Sequence, residues 1–230
     1  MARIDHLAGH RRYLALLGAS YAVIWTLLAI HPLHPTDWWM ENVLIFFTLG
    51  FLLVTGRWFL FSKLSYTLTF IFTCLHTLGA HYTYSEVPYA EWFPSLFGAM
   101  GEGVEGEARN HFDRLVHFLY GVLITWPYRE AFYYAMIPRR TYWSYLVPLV
   151  FSMATSLLYE LLEWGAAVLY GGEQGMAFLG TQGDIWDAHK DMLLAAYGAL
   201  LCFAIMLVVQ WASGRDFARE WGERQRTLRR

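Results

Sequence analysis

The stretch DAHKDMLLAAYGALLCFAIMLVVQW, residues 187–211, decides the fold class of this 230-residue chain. After its polar start it is almost wholly apolar as far as Gln210. A helix rises about 1.5 Å per residue and the hydrocarbon core of a bilayer is about 30 Å thick, so about 20 apolar residues are enough to cross it. The stretch therefore predicts a membrane-spanning helix that begins with acidic side chains.

The composition of the whole chain also indicates a membrane protein. Hydrophobic residues make up 57% of it and charged residues only 16%, and the mean hydropathy is +0.30. A soluble domain carries roughly 45–50% apolar and about 25% charged residues. This composition excludes a disordered chain, and two cysteines inside apolar runs, Cys74 and Cys202, exclude a disulfide scaffold. The net charge of −2 gives no basic surface for nucleic acid.

Outward from residues 187–211, five further apolar runs follow the same pattern. We predict an all-α polytopic membrane protein with six transmembrane helices, in one integral membrane domain that covers residues 1–230. The predicted spans are residues 13–30, 41–56, 58–80, 109–130, 141–169 and 187–211, and the basic tail is residues 212–230.

The distribution of Lys and Arg predicts the orientation. If the N-terminus is cytoplasmic, 14 of the 17 Lys and Arg residues fall on the cytoplasmic side, and only Arg109, Arg114 and Lys190 fall on the other. Short cytoplasmic loops of membrane proteins are rich in these residues. We therefore predict that both termini are cytoplasmic.

Acidic and imidazole side chains concentrate near the outer face, on the last four predicted spans. Asp113 with His117, and Asp187 with Asp191, are i,i+4 pairs, so each pair presents two ligands on one helix face. Ionisable groups inside a membrane cost about 2.5–3.5 kcal/mol each even on a lenient scale, and they mark functional sites by default. Because no cysteine is nearby, the oxygen and imidazole donors suit zinc, manganese, iron or magnesium.

These residues are assigned three kinds of role. The predicted metal ligands are His76, Asp113, His117, Asp187 and Asp191. The predicted catalytic residues are Asp113, His117, Glu160, Asp187 and Asp191. The predicted ligand-binding residues are His81, Tyr82, Arg109, Arg114, Glu163, Asp184 and Lys190. The alternative is a structural role, in which the carboxylates only form ion pairs with the neighbouring arginines and lysine.

Four segments carry a family resemblance: HTLGAHYTYSEVP at 76–88, RNHFDRLVH at 109–117, YELLEW at 159–164 and GTQGDIWDAHKDM at 180–192. With them, the chain resembles the YjdF-like bacterial inner-membrane proteins over nearly its whole length. The resemblance implies an inner-membrane location and no particular activity.

The second half is also similar to the VanZ-type membrane proteins, which are linked to glycopeptide resistance. The entry of that pattern fits the segment DRLVHF at 113–118, and its later acidic positions fit Glu160 and Asp187. The chain departs from it at Arg114, where the pattern has Lys, and at Asp191, where the pattern has Asn.

Charge supports a divalent cation as cofactor. Three cationic side chains face six carboxylates, which leaves three negative charges for a cation or protons to neutralise; the carboxylates are those of Asp113, Glu160, Glu163, Asp184, Asp187 and Asp191. The predicted function is a metal-dependent hydrolase or transferase that acts on a lipid or lipid-linked headgroup, with the lipid bilayer as partner and no nucleic acid.

Two alternatives remain open, so enzymatic activity is not decided. A proton- or ion-coupled transporter would use the same carboxylates and imidazoles, but the cytoplasmic half is expected to carry no matching polar path. A non-catalytic membrane scaffold would need no buried carboxylates. We expect spans three to six to form one bundle around the site, with the first two spans peripheral and glycine-rich loops at 98–106 and 171–183 folding over it.

Overall fold

All regular secondary structure of the described residues is helical in the computed structural model, which describes residues 2–93, 109–136 and 140–227. The all-α prediction is therefore confirmed. The helices are α1 (Ala2–Leu28), α2 (Pro35–Thr55), α3 (Lys63–Tyr82), α4 (Tyr89–Trp92), α5 (Phe112–Ala135), α6 (Trp143–Tyr170), α7 (Gly172–Leu179), α8 (Asp187–Ser213) and α9 (Phe217–Thr227).

Three of these helices, α2, α6 and α8, are long and apolar enough to cross a membrane. The long helices α1, α3 and α5 coincide with the other predicted spans but carry more polar residues. Crossing by all six, and the orientation of the termini, stay predictions.

Local signals explain where the helices depart from the predicted spans. Helix α2 begins six residues before the predicted 41–56, because Pro35 occupies the first turn, where its missing N–H costs nothing. Helix α3 begins at Lys63 rather than at residue 58, because Ser62 caps it by accepting a hydrogen bond from the Ser65 amide at 3.1 Å. The largest difference is in α1, which begins at Ala2 rather than at residue 13, so the boundaries that apolar runs predict are displaced by up to eleven residues.

The bundle is built on α5, which packs on α3, α6, α8 and α9. Its closest neighbour is α8, and the contact depends on two glycines. A Cβ on Gly121 would lie 2.0 Å from the Ala195 carbonyl oxygen, and a Cβ on Gly198 would lie 2.0 Å from that of Phe118. Small residues let membrane helices approach this closely. The contact brings the acidic starts of α5 and α8 together.

One end of the bundle, here called the acidic end, holds the ends of α3 and α6 and the starts of α5 and α8. The opposite, basic end is closed by α9. There Arg129, only 1% exposed, donates hydrogen bonds of 2.6 and 2.7 Å to the Asp216 carboxylate. Pro148 has no N–H, which leaves the Ser144 carbonyl without its helical partner, and Arg129 Nε donates to it at 3.2 Å.

The second buried charge of the basic end is equally well bonded. Glu130, also 1% exposed, accepts hydrogen bonds from the Ser62 amide at 2.9 Å, the Ser62 hydroxyl at 2.6 Å and Trp126 Nε1 at 3.0 Å. Glu130 therefore fixes the start of α3 against α5.

Candidate functional site

Three carboxylates meet at the acidic end. One oxygen each from Asp113, Asp187 and Asp191 lies within 4.8 Å of the other two. Asp187 and Asp191 are 4% and 2% exposed, and Asp113 is half-buried. The first turn of α5 supplies Asp113, and the i,i+4 spacing on α8 supplies the other two. This carboxylate triad is the centre of the candidate site.

Two arginines neutralise one side of the triad. Arg109 donates hydrogen bonds to Asp187 and, at 2.6 Å, to the Thr181 carbonyl. Arg114 donates to Asp184 at 2.6 Å and to Asp187 at 3.2 Å. Asp187 thus has two positive neighbours.

Asp184 lies outside the helices and is held ionised. Lys190 Nζ lies 2.5 Å from its Oδ2, and the Trp186 amide donates to its Oδ1 at 3.0 Å. These hydrogen bonds, together with that from Arg114, hold the pKa of Asp184 well below its usual range. Lys190 therefore pairs with Asp184 at the exposed edge of the site and not with the triad.

The other side of the triad has no such neutralisation. Among the described residues, no Lys or Arg nitrogen lies within 4.0 Å of the carboxylate oxygens of Asp113, Asp191 or Glu160. Asp191 Oδ1 and Glu160 Oε1 are buried and have no hydrogen-bond partner there. Only an imidazole is close: His117 Nε2 lies 3.5 Å from Asp113 and 3.4 Å from Glu160.

A second group of polar side chains lies beside the triad and involves α2. Tyr159 donates a hydrogen bond of 2.9 Å to Glu41, and His76 Nε2 lies 3.0 Å from the Glu41 carbonyl. The Tyr84 hydroxyl is hydrogen-bonded to the other ring nitrogen of His76, Nδ1. The prediction that the first two spans are peripheral is therefore wrong for α2, whereas α1 packs on α3 away from the triad.

A cavity of about 20 Å³, room for a single water molecule, lies between α2, α5 and α6. Four carboxylates line it, those of Asp37, Glu41, Asp113 and Glu163. Asp113 belongs to both the cavity and the triad, so the two are continuous. The predicted ligand-binding residue Glu163 lies here.

Comparison with known proteins gives the family. Residues 13–212 match DUF2238, a family described as predicted membrane protein. The chain belongs to the DUF2238 family. It is also 36% identical over 190 residues to the inner membrane protein YjdF of Escherichia coli (strain K12). This alignment covers 80% of this chain and 83% of that protein. No solved structure matches the chain.

Membership of the DUF2238 family confirms the membrane class and the YjdF-like resemblance, and it assigns no activity. The similarity of the second half to VanZ-type proteins stays a prediction. The site of this DUF2238 protein therefore has to be interpreted from its own geometry.

Three predicted site residues of this DUF2238 chain are not placed as expected. His76, a predicted metal ligand, is not grouped with the triad, and both of its ring nitrogens are engaged, by Tyr84 and by the Glu41 carbonyl. His81 lies 2.8 Å from the Leu28 carbonyl and joins the α1–α2 connection to α3, and Tyr82 packs on Trp92. His81 and Tyr82 therefore support the fold near the site and do not reach it.

The two glycine-rich loops have different outcomes. Residues 98–106 lie outside the described residues. In the second loop, Gly180 lines the cavity, the Thr181 carbonyl accepts from Arg109, and Gln182 exchanges hydrogen bonds of 2.8 and 3.0 Å with the Asn110 backbone. Helix α7, Gly172–Leu179, occupies most of this segment, so the expectation of a loop over the site holds only for its end, residues 180–183.

Sequence reasoning missed Glu41, Asp37, Tyr84 and Tyr159 as members of the site. Glu41 and Tyr159 are 118 positions apart, so no local spacing connects them. A signal was present in α2, because Asp37 and Glu41 are four residues apart and share one helix face.

Proposed function

We propose that the protein binds a divalent cation at the carboxylate triad and uses it to act on the headgroup of a lipid or lipid-linked molecule. The observation that carries this proposal is the 2% exposed Asp191, whose Oδ1 has no hydrogen-bond partner among the described residues. Burying a carboxylate without a donor or counter-charge is strongly unfavourable. A cation between the three oxygens removes this cost.

The donor set favours a hard cation. Three carboxylate oxygens within 4.8 Å of one another suit Mg²⁺ or Mn²⁺, which prefer oxygen ligands. Zinc sites draw on cysteine and histidine more often; His76 is engaged elsewhere, and His117 lies beside Asp113 but is not one of the three grouped ligands. The choice among zinc, manganese, iron and magnesium therefore narrows to manganese or magnesium.

Hydrolysis or transfer at a phosphate group is the chemistry that fits these neighbours. A bound divalent metal would lower the pKa of its water below that of bulk water and so help to supply a nucleophile. Guanidinium groups such as those of Arg109 and Arg114 match phosphate geometry. In hydrolysis, water adds to phosphorus, the P–O bond to the lipid breaks, and the lipid oxygen takes a proton. His117 and Glu160 keep their predicted catalytic roles in this proposal.

The proposal includes a location and a topology. The similarity to an Escherichia coli inner membrane protein supports a bacterial inner-membrane location. We place all six long helices across the bilayer as one domain, with both termini cytoplasmic and the acidic end outside. Reporter fusions after residue 105 and after residue 175 are expected to be external, and a C-terminal fusion internal. An external C-terminus would overturn the topology.

Metal binding is tested on the purified protein in detergent. Titration with Mn²⁺, followed by electron paramagnetic resonance of the free ion, is expected to show a single tight site. Asp113→Asn and Asp191→Asn should each abolish it. Glu86→Gln is the matched control, because Glu86 is an exposed carboxylate near the same end that contacts His34. Equal binding by all variants would contradict the cation site.

Activity is tested separately, with vesicles that contain a phosphomonoester lipid and with Mn²⁺ present. The wild type is expected to release inorganic phosphate, and Asp191→Asn is expected to release none. Binding of Mn²⁺ without phosphate release would reject hydrolysis of this lipid class and retain the cation site. Movement of Mn²⁺ across the vesicle membrane would favour the transporter alternative instead.

A further inference from the structure

The cavity between α2, α5 and α6 carries negative charge that its surroundings do not neutralise. Its four carboxylates are those of Asp37, Glu41, Asp113 and Glu163. Within the described residues, no Lys or Arg nitrogen lies within 4.0 Å of their oxygens, because Arg109, Arg114 and Lys190 pair with Asp184 and Asp187 instead. The cavity is therefore suited to a positively charged group.

The neighbouring imidazoles do not need to carry this charge. His76 Nε2 lies 3.0 Å from the Glu41 carbonyl, and its Nδ1 is hydrogen-bonded to the Tyr84 hydroxyl. A neutral ring with its hydrogen on Nε2 satisfies both contacts. His34 lies 3.2 Å from the exposed Glu86. The deficit of positive charge at the cavity therefore stays.

Asp37 is the carboxylate that points most directly to a ligand. It is 7% exposed, it lines the cavity, and it has no hydrogen bond or ion pair within the described chain. The dipole of α2 favours an acid in the first turn of this helix, but it supplies no hydrogen bond to the carboxylate. A buried carboxylate is unfavourable until a donor or a cation completes it.

The spacing of the carboxylates favours an ammonium group over a second metal ion. Among the described residues, three acidic or imidazole ligand atoms lie within 4.8 Å of one another only in the triad. The carboxylates that line the cavity are thus more widely spaced. Mg²⁺ holds its oxygens at about 2.1 Å, whereas an ammonium group forms hydrogen bonds of about 2.8 Å to its acceptors.

A hydroxyl acceptor is also present at the cavity. Thr83 lines it, and the Thr83 Oγ1 atom is buried without a hydrogen-bond partner in the part of the chain that the structure describes. A protonated primary amine donates three hydrogen bonds. Two carboxylates and this hydroxyl match that number.

The size of the cavity separates primary from quaternary amines. It holds about 20 Å³, room for a single water molecule. A primary ammonium group is similar in size to water. A trimethylammonium group is larger and donates no hydrogen bond, and proteins bind it with cages of aromatic rings.

We propose that the cavity binds a primary ammonium group. Asp113 belongs to both the cavity and the triad, so an amine in the cavity lies next to a phosphate group at the triad. An amine joined to a phosphate by a short spacer, as in phosphoethanolamine, fits these adjacent sites. The ammonium site itself needs no metal, whereas its assignment to this headgroup class rests on the proposed function.

The test is a calorimetric titration of the full chain in detergent, with a chelator and an amine-free buffer. The probes are short-chain phosphatidylethanolamine, phosphatidylcholine with the same acyl chains, and free ethanolamine. Phosphatidylethanolamine is expected to bind about tenfold more tightly than phosphatidylcholine, since one hydrogen bond to a charged group is worth about this factor. Tighter binding of the lipid than of ethanolamine would identify the headgroup as the source, and equal binding would identify a free amine.

Two variants locate the ammonium group. Asp37→Asn and Glu163→Gln each remove one charge with little change of shape, and each should abolish the preference for phosphatidylethanolamine. Glu91→Gln is the matched control, because Glu91 is an exposed carboxylate on α4 at the same end, and it should keep the preference. Asp37→Asn should still bind Mn²⁺ at the triad.

The outcomes separate this proposal from the cation site. Equal binding of the two lipids by the wild type, or an undiminished preference in Asp37→Asn, would overturn the ammonium site. A second equivalent of Mn²⁺ that Asp37→Asn removes would overturn it as well, because the cavity would then hold a metal. Mn²⁺ binding without an amine preference contradicts this inference alone, and an amine preference without Mn²⁺ binding contradicts only the proposed function.

Discussion

At the basic end of the bundle each buried charge has partners that satisfy it, whereas at the acidic end two buried carboxylates lack them. Arg129 has both oxygens of Asp216 and the Ser144 carbonyl, and Glu130 has three donors. Asp191 and Glu160 each have an oxygen with no hydrogen-bond partner in the described chain. The chain is thus able to satisfy buried charge internally, but only at the basic end does it do so for every buried charge described here. The difference indicates a structural role for the basic end and a binding role for the acidic end.

The largest expected effect is at the basic end. Arg129→Leu leaves Asp216 without its counter-charge, and breaking a buried pair costs about 3–5 kcal/mol. Unfolding in mixed detergent micelles measures this loss. Arg219→Leu removes an exposed pair with Glu223 and should cost no more than about 0.5 kcal/mol. Similar losses in the two variants would contradict a structural role for Arg129.

The next effect is at the helix crossing that assembles the acidic end. The Cβ of Gly198→Ala would overlap the Phe118 carbonyl oxygen at 2.0 Å, so α5 and α8 must separate. Overpacking costs about 1–3 kcal/mol, and the separation should also weaken Mn²⁺ binding because the triad is split between these helices. Gly165→Ala, which meets nothing within 4 Å, is the control: it should not lower the stability, because alanine is the better helix former, and it should leave Mn²⁺ binding unchanged. Unchanged Mn²⁺ affinity in Gly198→Ala would show that the triad does not depend on the close contact between α5 and α8.

A smaller loss of stability is expected at Glu41, a carboxylate of the acidic end that has a hydrogen-bond donor. Tyr159→Phe removes the hydrogen bond to Glu41, and the loss of one such bond costs about 1 kcal/mol. Thermal unfolding of the detergent-solubilised protein measures it. Because Glu41 is not a triad member, Mn²⁺ binding should remain. A variant as stable as the wild type would show that α2 is not held to the site by this bond.

The smallest expected change in stability comes from Asp191→Asn, and its sign is the opposite. The substitution removes a buried negative charge that has no salt bridge within 4.0 Å and an oxygen without a hydrogen-bond partner in the described chain, so the metal-free protein should be as stable as the wild type or slightly more stable. If the free energy of unfolding without metal falls by more than about 1 kcal/mol, Asp191 has a structural role like that of Arg129.

Much of this architecture is readable from the sequence, because the signals are local. Apolar runs predict the long helices, and the i,i+4 spacing places Asp187 and Asp191 on one face of α8. The position of Asp113 beside them depends on Gly121 and Gly198, whose close contact no single segment encodes.

Long-range pairing explains what the sequence did not predict. Glu41 accepts a hydrogen bond from Tyr159, 118 positions away in the sequence, and the Glu41 carbonyl also engages His76. Which face of α6 is buried is set by its packing on α5 and α8 and emerges only in the fold.

One paired measurement tests directly whether a cation binds the carboxylate triad at the acidic end. The thermal unfolding of wild type and Asp191→Asn is compared in detergent, with a chelator and then with excess Mn²⁺. We expect Asp191→Asn to be at least as stable as the wild type with the chelator, and Mn²⁺ to reverse the order by stabilising only the wild type. The same order under both conditions, with no stabilisation of the wild type by Mn²⁺ or by Mg²⁺, would contradict it.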